Sequence, residues 1–115
     1  MRRGEIYLVD LDPARGSEAN KLRPAIVVSN NAANRVAERT GRGVVTVVPV
    51  TSNTARVFAF QVRIAAGDGG LAVASKAQAE QVRSVDFDRL RRRVGALAPE
   101  TLERVDEALR THLAL

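Results

Sequence analysis

Short runs of β-branched and apolar residues recur through the first three quarters of the chain. Three of these runs are Glu5–Leu11, Ala25–Ser29 and Val44–Val50, and apolar runs of this length are typical of buried strands. The first of them ends at Asp12-Pro13, where proline has no N–H to donate to a neighbouring strand. A weaker run, Gln81–Val85, indicates one more strand, so the pattern predicts a sheet of several short strands.

Strict alternation follows at residues 58–64. Phe58 and Phe60 fall on the same face as the apolar residues that come after them, and the intervening positions are small or polar. This period of two predicts a strand with one buried face, with both phenylalanines in the core rather than on a surface that stacks on bases. The glycine-rich Gly67–Gly70 predicts a turn, after which Leu71–Ala74 would pair back as a hairpin.

Helical patterns occur at three places. Asn30–Arg39 has asparagine at its start and Gly41 beyond its end, both of which are favoured helix caps. Asp86–Leu90 could form one turn, and Pro99–Leu113 has proline at its first position and glutamates near its N-terminus. The apolar stripe of this last helix consists of Leu102, Val105, Leu109 and Leu113. Together the elements predict a mainly β, α+β fold in which a curled antiparallel sheet carries a docked C-terminal helix.

Composition limits the class of protein. The chain has 115 residues with no internal repeat or linker, so we expect one domain spanning residues 1–115. It contains no cysteine, which excludes disulfides and thiolate metal sites. The basic start is followed by no apolar signal segment, and the apolar run Val44–Val50 is far too short to span a bilayer. We therefore expect a cytoplasmic protein with no membrane contact.

The charge of the chain is strongly positive. A formal net charge of +5 and a pI near 10.9 favour an acidic partner, because a positive field speeds encounter with polyanions. Only two of the 18 basic residues are lysines, however, and an arginine bias of this kind can come from codon usage. Charge alone therefore leaves nucleic-acid binding open.

Several common chemistries lack the residues they need. The single histidine, His112, excludes the paired histidines that metal-free ribonucleases commonly use. Asp10 and Asp12 would project to one side of a strand, but no further acidic cluster accompanies them, which disfavours a two-metal nuclease. Gly67–Gly70 lacks the following lysine and helix of a phosphate-binding loop. We expect no metal ion and no cofactor.

Polar residues collect in loops that adjoin two of the strands, and these loops belong to an ordered set of motifs. The motifs are Arg3–Tyr7, Asp10–Pro13, Gly16–Glu18, Arg23–Ser29, Val48–Ser52 and Glu80–Ser84. Singly, each loop is ordinary turn chemistry. In this order they closely resemble the MazF/PemK toxins of bacterial toxin–antitoxin pairs. The resemblance implies a small SH3-like, CcdB-like antiparallel β-barrel with short helices and a C-terminal α-helix. It also implies a homodimer that cleaves single-stranded RNA and that a cognate MazE-like antitoxin inhibits.

The resemblance also assigns roles to individual residues. Arg23 and Thr51 match the family's catalytic arginine and threonine, and Glu18 matches a carboxylate that some members are thought to use as general base. The residue types suit these roles, because a guanidinium fork neutralises phosphoryl oxygens and a hydroxyl can fix the phosphate for attack. The residues expected to bind RNA beside the cleavage point are Ser17, Lys21, Ser52, Asn53 and Gln81.

Two other functions stay open on the sequence. A CcdB-type toxin shares this architecture but binds DNA gyrase and cuts nothing; its interaction depends on a C-terminal Trp-Gly-Ile ending. The present chain ends in Leu113-Ala114-Leu115 and has no tryptophan. A non-catalytic nucleic-acid-binding barrel would keep the basic surface without needing Arg23 and Thr51 in one site.

Overall fold

The seven strands form one antiparallel sheet in the computed structural model, which describes residues 1–115. The strands are β1 (Glu5–Asp10), β2 (Leu22–Val27), β3 (Val44–Thr51), β4 (Gln61–Ile64), β5 (Ser75–Gln78), β6 (Arg83–Asp86) and β7 (Leu90–Ala96). Their order is β4-β5-β3-β2-β1-β7, and β6 pairs with the first half of β3 beside β5. The helices are α1 (Asn31–Thr40) and α2 (Pro99–Leu113), with 3₁₀ turns at Asp68–Gly70, Ala79–Gln81 and Phe87–Arg89. The predicted mainly antiparallel β fold with a C-terminal helix is confirmed.

Strand β3 separates two apolar clusters because its side chains alternate between the faces of the sheet. Val48 and Val50 belong to a 12-residue cluster that includes residues of α2. Val45 and Val47 belong to a seven-residue cluster that includes Ala37 of α1. The two helices therefore cover opposite faces of the strand that ends at Thr51.

Helix α2 has the bounds that its sequence predicts, and its stripe is buried for most of its length. Val105 is fully buried, and Leu102 and Leu109 pack against the same cluster. Leu113 does not complete the stripe, since it is 49% exposed at the last turn. Helix α1 also matches the prediction, with the Asn30 side chain accepting the N–H of Ala33 as an N-cap. Neither helix has the length and apolar character needed to cross a membrane.

The strand predicted at residues 58–64 is shorter than its alternation suggests. Only Gln61–Ile64 pairs with β5, and Phe58 lies outside the core with 42% of its surface exposed. The chain turns before the strand because Gln61 is buried and its side chain accepts the N–H of Phe58. Phe58 stacks on Phe60 at a centroid distance of 5.3 Å, so the two rings cover each other instead of entering the core. Phe60 is half-buried, but neither phenylalanine belongs to an apolar cluster, so their expected place in the core is wrong.

The hairpin after β4 exists, but its second strand is β5 rather than Leu71–Ala74. The intervening segment folds into the 3₁₀ turn at Asp68–Gly70 and packs against β7. Gly70 is required there, because a Cβ at this position would collide with the carbonyl oxygen of Val94. Leu71–Ala74 therefore connect this turn to β5 and do not pair with β4.

Strand β7 was not predicted, since its three consecutive arginines hide any alternation. It pairs with β1, and ion pairs reinforce the contact: Arg93 lies 2.7 Å from Glu5, and Arg91 lies 3.6 Å from Asp10. The predicted last strand and one-turn helix are found slightly displaced, as β6 and the turn Phe87–Arg89.

Candidate functional site

Arg23 and Thr51 lie on neighbouring strands in a register that brings them together. β2 and β3 pair antiparallel with Ala25 opposite Pro49, and the pairs advance one residue at a time from there. The paired region ends at Ala25 and Pro49, and two residues beyond it lie Arg23 on β2 and Thr51 on β3, at the same end of the sheet. Both residues line one pocket. Two motifs that are 28 positions apart in sequence therefore meet at one end of the sheet.

These two residues share a pocket with Ser52. The pocket has a volume of about 310 Å³, and its remaining lining consists of Leu22, Pro24, Val50, Leu71, Ala72, Val73 and Ser75. Leu22 and Val73 are 53% and 56% exposed. The pocket thus combines one guanidinium and three hydroxyls, of which that of Ser75 donates to the Val73 carbonyl, with an accessible apolar rim. This lining suits a ligand with both a charged and a flat apolar part.

The Arg23 side chain is oriented by Asn20. Nε of Arg23 donates to the Asn20 carbonyl at 2.8 Å, and Nη2 donates to Asn20 Oδ1 at 3.3 Å. Because a guanidinium has five N–H groups, donors stay available for a ligand in the pocket. Sequence reasoning missed Asn20; its position three residues before the arginine, with a side chain that commonly accepts bonds in loops, was the available signal.

Thr51 and Asn53 hold the loop after β3. Thr51 Oγ1 accepts the N–H of Asn53 at 3.2 Å, which leaves its O–H free to donate. Asn53 Oδ1 accepts the N–H of Ala55 at 3.3 Å, so this side chain stabilises its own turn. Ser52, between them, is exposed.

Glu18 does not line the pocket. Its carboxylate accepts the N–H of Arg15 at 2.5 Å, and its own N–H donates to the Arg15 carbonyl at 3.0 Å, which closes a tight turn. Lys21 is also exposed and outside the lining; its backbone has a φ of 64°, and its N–H donates to Asp12 Oδ1 at 2.9 Å. Of the three expected catalytic residues, the pocket contains Arg23 and Thr51.

Gln81 and Ser17 contact each other rather than the pocket. Gln81 Nε2 donates to the Ser17 carbonyl at 2.8 Å, and Gln81 Oε1 accepts the N–H of Ala19 at 2.9 Å. Both polar groups of the Gln81 amide are therefore engaged within the chain. Ser17 itself is exposed on the loop that carries Glu18.

Asp10 and Asp12, the two acidic residues at the end of β1, have partners within the chain. Asp10 accepts the N–H of Asp12 and forms the ion pair with Arg91, while Asp12 accepts the N–H of Lys21. These contacts join the loops at this edge of the sheet.

Comparisons with known proteins identify the family of the chain. The family model described as PemK-like, MazF-like toxin of type II toxin-antitoxin system matches residues 2–113. Endoribonuclease MazF9 of Mycobacterium tuberculosis is 61% identical over all of this chain and 98% of its own length.

Solved structures are similar as well. MazF from Deinococcus radiodurans superposes with a TM-score of 0.83 and 28% identity, covering 100% of this chain and 97% of that one. An endoribonuclease in complex with its cognate antitoxin, from Mycobacterial species, has a TM-score of 0.78 and 27% identity, covering 100% and 96% of the two chains. The chain belongs to the PemK-like, MazF-like toxins of type II toxin–antitoxin systems.

Proposed function

We propose that this toxin is a sequence-specific endoribonuclease that cleaves single-stranded RNA without a metal ion, leaving 2′,3′-cyclic phosphate and 5′-hydroxyl ends. The observation that carries the proposal is the common pocket of Arg23 and Thr51. The endoribonuclease relative, identical at 61% of positions along the whole chain, supports the same activity.

Metal-free RNA cleavage needs neutralisation of the phosphoryl charge, positioning of the phosphate and transfer of a proton. The pocket can supply the first two. The 2′-oxygen attacks the adjacent phosphorus, and negative charge grows on the phosphoryl oxygens until the bond to the 5′-oxygen breaks. Arg23 neutralises this charge with the guanidinium donors that Asn20 does not use. Thr51 donates its free O–H to a second phosphoryl oxygen and fixes the phosphate in line for attack. Proton transfer is the third need.

Glu18 is the proposed general base for the 2′-hydroxyl proton. In the free protein its carboxylate accepts the N–H of Arg15. The proposal therefore requires Glu18 to exchange this bond for the 2′-hydroxyl when RNA is bound, which a turn on an exposed loop permits. Protonated Glu18 then returns this proton through water to the leaving 5′-oxygen, so that a 5′-hydroxyl forms and the Glu18 carboxylate is regenerated.

RNA binding beside the cut is assigned to exposed polar residues near the two loops. Ser17, Lys21, Ser52 and Asn53 offer hydrogen bonds to base edges and backbone, and Gln81 is considered further below. Leu22 and Val73 form the apolar rim on which an unstacked base can rest. This combination gives the pocket a means of preferring particular sequences.

We extend the proposal to the architecture of this toxin and to its protein partners. The turn Asp68–Gly70 comes shortly after β4 and packs against Val94 and Gly95 of β7. This contact supports an SH3-like, CcdB-like barrel in which the two ends of the sheet approach each other. We also propose a cytoplasmic homodimer that a MazE-like antitoxin inhibits; a solved relative at 27% identity is in complex with its cognate antitoxin. Sedimentation at micromolar concentration should show a dimer, and a monomer alone would contradict this part.

Substitutions in the pocket test the proposed chemistry. Arg23→Ala and Thr51→Val remove a donor to the developing charge, and loss of one such donor typically lowers the rate by ~10²–10³. Thr51→Ser keeps the hydroxyl and should stay within about tenfold of wild type. Arg92→Ala, on the exposed surface of β7, removes the same charge as Arg23→Ala and serves as the matched control. The readout is the single-turnover rate on a long single-stranded RNA, and folded Arg23→Ala or Thr51→Val protein with a near wild-type rate would refute the assignment.

A further inference from the structure

Gln81 holds the loop that carries Glu18 by both ends of its side-chain amide. Nε2 donates to the carbonyl of Ser17 and Oε1 accepts the N–H of Ala19, at 2.8 and 2.9 Å. These are the peptide groups on either side of Glu18. A bidentate contact of this kind fixes the direction of the backbone as well as its position, because both a donor and an acceptor must be in place.

The loop makes few other hydrogen bonds at this point. Glu18 and Arg15 bond only to each other, which closes the turn but does not attach it to the sheet. The Ala19 side chain packs against the seven-residue apolar cluster, and the next hydrogen-bonded attachment is Asn20, which accepts two hydrogen bonds from Arg23. By holding the backbone at Ser17 and Ala19, Gln81 therefore fixes the position of Glu18, the proposed base. The next residue is Asn20, which orients Arg23.

Gln81 itself lies in a turn that is held to the sheet. It ends the 3₁₀ turn Ala79–Gln81, in which Ala79 is buried and its carbonyl accepts the N–H of Val82 at 3.1 Å. The neighbouring Glu80 accepts a hydrogen bond from the buried Gln61 of β4 at 2.7 Å. The side chain of Gln81 thus attaches the exposed loop to the sheet and fixes where the loop lies.

We propose that Gln81 is a positioning residue for the loop Arg15–Asn20, acting on cleavage through Glu18 and Asn20 and not by reading a base of the RNA. The inference rests on the proposed function for its catalytic consequence, whereas the clamp itself is a property of the free protein. A misplacement of about 1 Å in a catalytic group can lower a rate by ~10². Loss of the clamp should therefore lower kcat at every cleavage site alike, by a larger factor than it raises KM through the displaced Ser17, and leave the sequence of the cut sites unchanged.

The test combines exchange and cleavage measurements on Gln81→Ala, Gln81→Glu and a control. Gln78→Ala serves as the control, since Gln78 is half-buried on β5 and lies outside the clamp. Amide hydrogen exchange of Ala19, followed by NMR without RNA, should accelerate at least about fivefold in Gln81→Ala, as expected for loss of one hydrogen bond. Gln81→Glu keeps an acceptor for Ala19 but cannot donate to Ser17, so its kcat should lie between those of wild type and Gln81→Ala.

The possible results separate the clamp from the proposed activity. Unchanged exchange at Ala19 in Gln81→Ala would overturn the clamp whether or not RNA is cut. Faster exchange with unchanged kcat, or a raised KM with altered cut sites, would overturn the positioning role and favour base recognition. If the wild-type protein cut no RNA, the proposed function and the catalytic consequence would both fall, while the exchange data would still decide whether the clamp exists.

Discussion

At the scale of single residues, hydrogen bonds inside the chain already orient the groups that line the candidate pocket. Asn20 holds the Arg23 guanidinium and Thr51 uses its hydroxyl oxygen for Asn53, so each keeps a donor that is not used within the chain. Catalytic donors that are fixed before the ligand arrives need no reorganisation during the reaction. The pairing of Arg23 with Thr51 was predictable from their motifs. The bonds to Asn20 and Gln81 were not, because loop geometry decides them.

Glu5 gives a residue-scale prediction for stability. Burial acts to raise its pKa, but the N–H of Arg2 and the guanidinium of Arg93 outweigh burial and hold the pKa of Glu5 below its usual value of 4.5. A carboxylate whose pKa is lower in the folded state stabilises the fold above its unfolded pKa, and this contribution is lost as the pH falls through the folded pKa.

We expect wild-type protein to lose stability more steeply below about pH 4.5 than Glu5→Gln, because only the wild type has this carboxylate to protonate. The difference should be under about 1 kcal/mol, since Arg93 is half-exposed. Urea unfolding between pH 3 and 7 measures it, with Glu103→Gln on the exposed face of α2 as control. Identical pH slopes for wild type and Glu5→Gln would show that the pair with Arg93 is not formed in solution.

At the scale of elements, helix α2 is capped from outside its own sequence. Ala98 at the N-cap has no side-chain cap bond of its own, but Asp68 accepts the N–H of Ala98 at 2.9 Å and the hydroxyl of Thr101 at 2.5 Å. A carboxylate at this end also interacts favourably with the helix dipole. Local signals were enough to predict where the helix begins. They could not reveal that a residue of the Asp68–Gly70 turn completes it.

Asp68→Ala should therefore destabilise the protein by about 1–2 kcal/mol, in line with the loss of an N-cap and its hydrogen bonds. Asp88→Ala removes the same charge from an exposed position and should change the free energy of unfolding by less than about 0.5 kcal/mol. Denaturant unfolding followed by circular dichroism compares the two. Equal, small effects would mean that the carboxylate of Asp68 does not stabilise α2.

The elements that sequence patterns predicted correctly have strong local signals, and the others depend on distant contacts. Helix α1 carries both its caps within the chain segment itself. Strand β7 has three arginines in a row, and it is a strand because its backbone pairs with β1, which is distant in sequence. Strand β5 begins later than the hairpin pattern predicts, and the turn before it packs on β7 at Gly70, a contact with a strand that is distant in sequence.

At the scale of the whole molecule, the sheet brings two loops from different parts of the chain to the same end of β2 and β3. Helices on both faces of β3 keep this end in place through the two apolar clusters. The net charge of +5 adds a long-range attraction for RNA that is independent of sequence. Fold, pocket and charge agree with the family that the whole chain matches.

We propose above all that Arg23 and Thr51, with Glu18 as the general base, cut RNA without a metal ion. The most direct measurement is cleavage of a long single-stranded RNA by purified wild-type protein in excess EDTA, with the new ends mapped by primer extension and their chemistry identified. We expect undiminished cleavage at defined sequences, with 2′,3′-cyclic phosphate on one side of each cut and a 5′-hydroxyl on the other. Loss of cleavage on chelation, or 5′-phosphate ends, would contradict the mechanism.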